Sequence, residues 1–491
     1  MSVLPRTAFI DPTGDNRAEI EALLQKTVAL LLDEMTQAAQ RSPLPNTDSS
    51  TDIEALTRWA SIPEQSVNFD ELLTRLRSHL QQSMNAAHPG YIGHMDSIPT
   101  TLSVVGDLVA AALNNNLLSV EMSPVFSRLE PLVLAQIAQR FGLGARSGGV
   151  MVSGGSLANL QALTVARNIA FNAVKKGIVG LTHRPVFFVS EVAHTSLQKA
   201  AMMMGLGSQA AIALRTNANS QVDIHDLEAK LSEAESLGQQ PFAIVATAGT
   251  TVTGNIDPIA RMGRIAKAHQ LWFHVDAAYG GSLIFSEAQR SRLAGIEQAD
   301  SITFNPQKWL YVAKTCATIL FKNFDLLKAH FRIAAPYMGD DPQWPNLGEL
   351  TIQGTRHADI LKLWLSLQHI GTAGYSEIIS HNYDITAHFT ERVKSRPHLR
   401  LASEPEMNLV CFRWEPEGSD RERQDSLNAD LQRHLLKSDE PKADYANAIF
   451  LSLPTYRNRR WLKAVLLNPY IQLSTINALF AQLDAFVRSR S

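Results

Sequence analysis

The chain has 491 residues, of which 45% are hydrophobic and 19% charged, and 45 basic against 47 acidic side chains give a net charge of −2. This length predicts two or three domains, and the balanced charge without a basic stripe argues against a nucleic-acid partner. Cys316 and Cys411 cannot form a disulfide framework and fit a reducing compartment. The sequence has no signal-peptide pattern and no apolar run long enough for a membrane span, so we expect a cytoplasmic protein.

Two amphipathic helices are predicted near the N-terminus, within a helical segment that spans 1–110. Residues 16–40 carry an apolar stripe at helical spacing, which comprises Leu23, Leu24, Val28, Leu31 and Leu32. A second helix is predicted in NFDELLTRLRSHLQQSMNA, with Asn68 or Asp70 as its N-cap. Neither helix can bury its apolar face alone, so each is expected to pack on the large domain or on a second subunit.

A large α/β domain is predicted over 111–375. From about residue 125, helical segments alternate with short β-rich runs, which are GGVMVSGG, PVFFVS, AAIALRT, PFAIVATAGTT, LWFHVDAAYGG, SITFNP and ATILFK. Such alternation predicts a mostly parallel sheet that is covered by helices on both faces. After 375 the pattern changes to a long helix, further strands and a final helix, which predicts a smaller α+β domain over 376–491.

Polar residues follow several of the predicted strands, and in parallel α/β sheets ligands bind beyond the carboxyl ends of the strands. The segment 153–156, Ser-Gly-Gly-Ser, leads from a strand into a helix, which is typical of an anion site or of a simple turn. His194 lies at the start of the helix that follows the run PVFFVS. It would either contact a ligand or serve as a capping or core histidine. The small residues and threonines of 247–251 would let a flat ligand approach closely, or would form an ordinary loop.

Two charged residues adjoin apolar strands. Asp276 directly follows one strand, and Lys308 lies between two others; a buried charge is costly unless it is paired or used. A poorly solvated lysine has a lowered pKa, and its neutral amine can form a Schiff base with a carbonyl. A phosphate site, a carboxylate and a lysine are what pyridoxal phosphate requires, because the lysine holds the aldehyde and the carboxylate keeps the pyridine nitrogen protonated. We therefore expect pyridoxal 5′-phosphate as the cofactor.

With these residues, the chain resembles the pyridoxal-phosphate-dependent group II amino-acid decarboxylases, the glutamate and aromatic amino-acid family. The matching stretches follow the family's order and are HPGYIGHM, SPVFSRLE, VSGGSLAN, HVDAAYGG, NPQKWL and GTRHADILKLW. The resemblance implies a transferase-like fold of fold type I and a homodimer with the active site at the subunit interface. It also implies decarboxylation of an L-amino acid to the corresponding amine and CO₂.

The resemblance implies roles around the cofactor ring. Lys308 would be the Schiff-base lysine, and Asp276 would pair with the pyridine N–H. His194 would stack on one face of the ring, and Ala278 would pack on the other. Thr251 would lie near the ring substituents.

The resemblance also implies a phosphate site and a general acid. Gly155, Ser156 and Asn305 would bind the phosphate. Tyr337 lies in a loop of turn-forming residues, where family decarboxylases carry a tyrosine that is thought to protonate the carbanion left by CO₂. The alternative is a surface aromatic residue with no catalytic role. No metal site is expected.

The substrate side chain is the least defined feature. The candidate contacts are His94, Met95, Asn116, Leu118 and Lys463, and the segment of Asn116 and Leu118 would reach the partner subunit's pocket. Lys463 occupies the position where members acting on acidic amino acids have an arginine, so an acidic substrate is one expectation. Asp96 would favour a basic substrate instead, and an aromatic substrate also stays open.

The sequence departs from the family pattern at Gln307, where members usually have a histidine before the lysine. Glutamine can donate a neutral hydrogen bond but cannot titrate. Three other functions compete with amine formation: an aldehyde-forming oxidative decarboxylase, whose members tend to have phenylalanine in place of Tyr337, another lyase on the same cofactor, and a catalytically silent binding protein. An aminotransferase fits the order of the motifs less well.

Overall fold

The computed structural model describes residues 4–45, 50–336, 338–339, 343–437 and 445–490, with the side chains of 50–52 outside the description. The chain forms two compact units. The larger unit comprises Met95–Glu415 and Val465–Pro469, and the smaller unit comprises Met1–His94, Pro416–Ala464 and Tyr470–Ser491. The smaller unit thus combines both ends of the chain, and the division at 110 and 375 predicted from the sequence remains a proposal.

The helices and strands follow the alternation predicted from the sequence. The helices are α1 Arg17–Thr36, α2 Ser50–Trp59, α3 Phe69–Gln81, α4 Thr101–Leu113, α5 Phe126–Arg140, α6 Gly155–Phe171, α7 Ala173–Lys176, α8 Ser196–Met203, α9 Ile224–Ser236, α10 Ile259–Ala268, α11 Phe324–Phe331, α12 Ile360–Lys394, α13 Arg421–Leu436 and α14 Leu473–Arg490. The strands are β1 Gly148–Val152, β2 Arg184–Ser190, β3 Ala211–Leu214, β4 Gln239–Thr247, β5 Trp272–Asp276, β6 Ser301–Phe304, β7 Ala317–Phe321, β8 Leu399–Leu401, β9 Leu409–Trp414, β10 Thr455–Tyr456, β11 Arg459–Arg460 and β12 Leu462–Val465.

A seven-stranded sheet forms the centre of the larger unit, within the described residues. Its order is β1-β7-β6-β5-β4-β2-β3, and each of its strands overlaps one of the β-rich runs predicted from the sequence, although β2 and β4 begin before their runs. Every residue of β1, β6 and β7 is buried. Side chains on both faces of these strands therefore pack against helices, as expected for a mostly parallel α/β sheet.

The direction of β7 sets which strand ends share an edge. The strands from β3 to β6 pair in parallel, but β7 is antiparallel to both β6 and β1. Because β7 is antiparallel to both neighbours, β1 runs in the same direction as the strands from β3 to β6. The carboxyl ends of β1 and of these strands therefore lie at the same edge of the sheet. The sequence did not predict the reversal at β7. The connection from β6, residues 305–316, carries no helix, whereas a parallel return needs a crossover that is usually helical.

The predicted N-terminal helices are confirmed as α1 and α3 in the smaller unit. The Oδ1 atom of Asn68 accepts the N–H of Asp70 at 2.9 Å, which makes Asn68 the N-cap of α3. On α1, Leu24, Val28 and Leu32 of the predicted apolar stripe are 43%, 50% and 58% exposed. Among the described helices, none combines the length and the apolar character that crossing a membrane would require.

A buried ion pair ties α5 to the sheet in the larger unit. Glu130 on α5 accepts a hydrogen bond from Arg356 at 2.6 Å and one from the N–H of Met151 on β1 at 2.9 Å. Arg356 also donates to the Met151 carbonyl at 2.9 Å. Both charged side chains are almost fully buried, so removal of either would leave an uncompensated charge in the core.

We expect Glu130→Ala to lower the free energy of unfolding by about 3–5 kcal/mol, because Arg356 would be left buried without its counter-ion. The matched control is Arg146→Ala, since Arg146 pairs with Asp325 at 3.4 Å where both side chains are well exposed. That change should cost less than about 1 kcal/mol. Urea denaturation of both variants measures the difference, and equal losses would contradict the assignment.

Candidate active site

One pocket lies at the shared carboxyl edge of the sheet in the larger unit. Its lining comprises Gly155, Ser156, Asn159, His194, Ser196, Thr247, Gly249, Thr251, Asp276, Ala278, Tyr279, Asn305 and Lys308. All eight residues that were predicted to contact the cofactor are in this set. Chain segments that are far apart in sequence therefore converge on one pocket, as expected for strand ends that share an edge.

Lys308 lies in the turn that follows β6. Its backbone N–H donates to the Asn305 carbonyl at 3.0 Å, which fixes the turn. Among the described residues, the Nζ atom has no hydrogen bond or ion pair, and it lies 6.0 Å from the centroid of the Tyr279 ring. Burial lowers the pKa of Lys308, and the carboxylates of Asp276 and Asp96 oppose that shift. The amine is therefore more readily neutral, and so more nucleophilic, than an ordinary lysine.

Asp276 ends β5 and is 6% exposed. Its Oδ2 atom accepts a hydrogen bond from Asn159 Nδ2 at 2.9 Å, and its Oδ1 atom accepts the N–H of Ala278 at 3.1 Å. Both contacts stabilise the ionised carboxylate. A carboxylate can accept about four hydrogen bonds, so Asp276 keeps acceptor capacity toward the pocket for a ligand N–H.

His194 precedes α8 and lines the pocket. Its Nδ1 atom accepts the N–H of Ser196 at 3.2 Å, so the ring orientation is fixed from the backbone. Partial burial lowers the pKa of His194, with Lys308 and Lys199 acting in the same direction and Asp276 opposing them. The ring is therefore neutral near pH 7, and the part of the side chain that remains exposed offers a flat aromatic surface to a planar ligand.

The N-terminus of α6, which lines the pocket, suits an anion. Helix α6 begins at Gly155, and the first N–H groups of a helix have no partner within it and attract negative charge. A Cβ atom at Gly155 would lie 2.9 Å from Asn305 Nδ2, so glycine allows the helix end to approach Asn305. Asn305 Oδ1 and Thr247 Oγ1 are buried with no hydrogen-bond partner among the described residues. Unpartnered buried polar atoms of this kind suit a polar ligand.

Sequence reasoning missed three residues of the lining, Asn159, Ser196 and Tyr279. Asn159 lies one helical turn beyond Gly155, and residues four apart on a helix share a face. That spacing is a signal that could have identified Asn159, since its neighbour had already been assigned to the site. Tyr279 carried no such signal, because its place depends on tertiary packing: its ring is 1% exposed and stacks on Trp309 at a centroid distance of 5.1 Å.

Three predicted substrate contacts of the larger unit do not line this pocket. Met95 is buried in the hydrophobic core. Asn116 accepts the backbone N–H of Leu118 at 3.0 Å and that of Arg356 at 3.1 Å, which fixes the segment after α4. Their substrate roles remain predictions, and the expectation for Asn116 and Leu118 concerned the pocket of a partner subunit.

The remaining predictions concern residues outside this unit or outside the description. His94 belongs to the smaller unit, where its ring lies 5.2 Å from that of Phe450. Lys463 belongs to the same unit, and its backbone N–H donates to the Ser452 carbonyl at 2.9 Å. Tyr337 lies outside the described residues. Their roles stay predictions.

Gln307, the departure from the family pattern, has a structural partner. Its Oε1 atom accepts the N–H of Cys316 at 2.6 Å, and its backbone N–H donates to the Cys316 carbonyl at 3.2 Å. Gln307 therefore closes the loop that carries Lys308, at the point where the chain enters β7.

Comparison with known proteins agrees with the geometry of the pocket. Residues 55–415 match the pyridoxal-dependent decarboxylase conserved domain. The structure of mouse CSAD is similar with a TM-score of 0.88, 26% identity and coverage of 96% of this chain and 99% of that chain.

Two further structures are similar over nearly the whole chain. The glutamate decarboxylase domain of diaminobutyrate-pyruvate transaminase and L-2,4-diaminobutyrate decarboxylase from Vibrio parahaemolyticus gives a TM-score of 0.84, 25% identity and coverage of 98% of each chain. The structure of Oryza sativa TDC with PLP and tryptamine shares the fold, with a TM-score of 0.89, 23% identity and coverage of 98% of this chain and 100% of that chain.

The lysine, the carboxylate and the anion site define a pocket of the kind that holds pyridoxal phosphate. The chain belongs to the pyridoxal-dependent decarboxylase family. It is a decarboxylase that uses pyridoxal phosphate, and its residues fit that group: the amine of Lys308 lies in the same pocket as the Asp276 carboxylate, and Asn305, whose Oδ1 atom has no partner among the described residues, lies beside the N-terminus of α6.

In the cofactor-free protein, we expect the pKa of Lys308 to lie below the ordinary lysine value, and to fall further in Asp276→Asn, because the Asp276 carboxylate opposes the effect of burial. Trace acetylation over a range of pH, read by peptide mass spectrometry, gives the pKa of each lysine. Asp325→Asn, a change at an exposed carboxylate, is the control. A rise in the pKa of Lys308 in Asp276→Asn would contradict the assignment.

We expect Gln307→His to keep or raise activity, because an imidazole nitrogen can accept the Cys316 N–H in place of the glutamine oxygen. Gln307→Leu, which offers no acceptor, should weaken cofactor binding. Equilibrium dialysis against pyridoxal phosphate and the turnover rate measure both variants. Loss of the cofactor from Gln307→His would count against this role.

Proposed function

We propose that this protein decarboxylates an L-amino acid to the corresponding amine and CO₂, with pyridoxal phosphate held by Lys308. The observation that carries the proposal is the convergence of a poorly solvated lysine and a buried carboxylate on one pocket. Membership of the pyridoxal-dependent decarboxylase family supports the reaction class. A catalytically silent protein would have no need to bury Lys308 without a hydrogen-bond or ion-pair partner among the described residues.

Each end of the pocket would hold a different part of the cofactor. The amine of Lys308 would hold the aldehyde carbon, and the Asp276 carboxylate would accept the N–H of the pyridine ring. Gly155, Ser156 and Asn305 would bind the phosphate through the free N–H groups of α6 and the side-chain amide. His194 and Ala278 would contact the faces of the ring, and Thr251 its substituents.

When bound, pyridoxal phosphate supplies a protonated ring that accepts the electron pair left on Cα when CO₂ departs. The ionised Asp276 would keep the proton on the ring nitrogen, since it accepts hydrogen bonds from Asn159 and Ala278 that stabilise its charge. Tyr337 would then deliver a proton to Cα as a general acid. The neutral amine of Lys308 would release the product amine.

The charges of the larger unit bear on the substrate side chain. Asp96, a candidate contact for a basic substrate, forms a close ion pair with Lys314. Its charge is therefore already compensated, which weakens the case for a basic substrate. Lys463 supports an acidic substrate only through its place in the sequence. Substrates of acidic, basic and aromatic type therefore all enter the experiment below.

We also propose a homodimer, with a second copy of the chain covering the apolar surface of α4. Val105, Leu108 and Leu113 on this helix are 42%, 56% and 53% exposed, and large exposed apolar patches mark interaction sites. The segment of Asn116 and Leu118 follows α4 directly, so the same contact would bring it toward the partner's pocket. Family membership supports this choice of occupant.

In a screen of amino acids with added pyridoxal phosphate, we expect one amine and an equal amount of CO₂ from the wild type. Mass spectrometry identifies the product and so the substrate. Lys308→Ala should lower turnover by several orders of magnitude, because it removes the nucleophile. Lys322→Ala, at an exposed lysine of the same domain, is the control and should keep full activity.

The same screen separates the competing reactions. Tyr337→Phe should lower amine formation and raise aldehyde formation, because it removes the proton donor. Aldehyde from the wild type, with ammonia or peroxide, would identify the oxidative reaction instead. Failure of the purified wild type to retain pyridoxal phosphate would contradict the proposed function as a whole.

We expect the wild type to sediment as a dimer and Leu108→Glu to sediment as a monomer at micromolar concentration, because a charge would be buried in the apolar contact. Leu237→Glu, at an exposed leucine that follows α9, is the control and should remain dimeric. Sedimentation velocity measures both. A monomeric wild type would contradict the homodimer.

A further inference from the structure

A chain of polar side chains lies behind Asp276, in the core of the larger unit. Asn159 Nδ2 donates to Asp276 Oδ2 at 2.9 Å, and Asn159 Oδ1 lies 3.0 Å from His274 Nε2. The Thr303 hydroxyl donates to the same Asn159 oxygen at 2.6 Å. On the far side of the ring, His274 Nδ1 lies 2.8 Å from Ser301 Oγ. One continuous path thus joins β6, β5 and α6 to the carboxylate.

Burial makes this chain costly unless it has a role. Asn159, His274, Ser301 and Thr303 are each at most 1% exposed, and a buried polar group needs a partner to offset the loss of water. His274, Ser301 and Thr303 do not line the pocket. Among the described residues, their side chains reach the pocket through Asn159, which donates to Asp276 and, at 3.0 Å, to Ser196 Oγ.

The carboxylate fixes the direction of the hydrogen bonds. An ionised carboxylate only accepts, so Asn159 must turn its Nδ2 group toward Asp276. Its Oδ1 atom then faces His274, and His274 must carry its proton on Nε2 in order to donate. The Nδ1 atom is left as an acceptor for the Ser301 hydroxyl, which in turn accepts from Trp272 Nε1 at 2.8 Å.

A competing arrangement is available to His274. With its proton on Nδ1, the ring could donate to the Ser301 carbonyl at 3.1 Å. The Nε2 lone pair would then face Asn159 Oδ1, and the Thr303 hydroxyl, 3.4 Å from Nε2, already donates to that oxygen. To avoid this repulsion the amide would turn its oxygen toward Asp276. The Asn159 oxygen and the Asp276 carboxylate, which are both acceptors, would then face each other unless Asp276 were protonated. The tautomer of His274 and the proton on Asp276 are thus linked.

We propose that His274 is a positioning residue for Asp276: by donating from Nε2 to Asn159, it holds the amide so that Nδ2 contacts the carboxylate and keeps it an acceptor. The donor that Asp276 would accept from is the ring N–H of the cofactor, and this part of the inference rests on the proposed function. Burial lowers the pKa of His274 to about 4, so the ring is neutral at pH 7 and its tautomer decides the arrangement.

The first test needs no cofactor and no substrate. In the cofactor-free wild type with ¹⁵N-labelled histidine, long-range ¹H–¹⁵N spectra distinguish the two neutral tautomers, and His274→Gln assigns the signal. The expected result is a neutral ring with its proton on Nε2 at pH 7. A ring with its proton on Nδ1 would overturn the proposal.

The second test measures the effect on the ligand of Asp276. His274→Gln keeps a donor toward Asn159 and an acceptor toward Ser301, whereas His274→Phe keeps neither. With pyridoxal phosphate labelled with ¹⁵N in the ring, the nitrogen signal should stay at its protonated value in His274→Gln and move toward the unprotonated value in His274→Phe. His183→Gln, at an exposed histidine, is the control.

We expect the turnover rates to rank the variants as the ring-nitrogen signal does, with His274→Gln close to the wild type and His274→Phe most affected. In His274→Phe, kcat should fall by about 10- to 100-fold with KM changed by less than about threefold, as when an outer partner of a site residue is removed, and His274→Gln should recover most of the loss. An unchanged ring-nitrogen signal in folded His274→Phe would overturn the proposal. If that variant does not fold, the tautomer in the wild type still decides.

The two hypotheses fail separately. A wild type with His274 protonated on Nε2 but without decarboxylation of any amino acid would refute the proposed function and leave the positioning role intact. If the wild type decarboxylates an amino acid but His274 is protonated on Nδ1, the positioning role would be refuted and the proposed function would remain.

Discussion

The ionised carboxylate of Asp276, buried at the end of a central strand, is the charge on which the rest of the site depends. A carboxylate in this place is tolerated only if donors compensate for lost water. The N–H of Ala278 and the amide of Asn159 provide two such donors. The same charge opposes the effect of burial on the pKa of Lys308, so Asp276 and Lys308 are linked before any ligand is considered.

The sheet explains why these groups can meet. Asp276 pairs in register with Thr247 on β4 and with Thr303 on β6, so residues from three strands come level at one edge. The reversals at β7 bring the end of β1, and with it the start of α6, to the same edge. A reactive amine, a carboxylate and an anion site thus come from separate segments, and the buried strands hold them in place.

Much of this arrangement could be predicted from the sequence. The β-rich runs are short, apolar and bounded by turn residues, so they predicted the strands of the sheet, and the rule that ligands bind at carboxyl ends pointed to the residues that follow them. The direction of β7 could not be predicted from composition, because antiparallel and parallel core strands carry the same apolar pattern. Ser196 and Tyr279 were missed because their place in the site depends on packing, whereas the four-residue spacing from Gly155 could have identified Asn159. Met95 is the last residue of the family motif HPGYIGHM, yet its side chain packs in the core.

The central claim is that Lys308 holds the cofactor. Its most direct test is reduction of the protein with borohydride in the presence of pyridoxal phosphate, followed by peptide mapping. We predict one phosphopyridoxyl group per chain, on the peptide that contains Lys308. A label on another lysine, or a label that persists at full yield in Lys308→Ala, would contradict it.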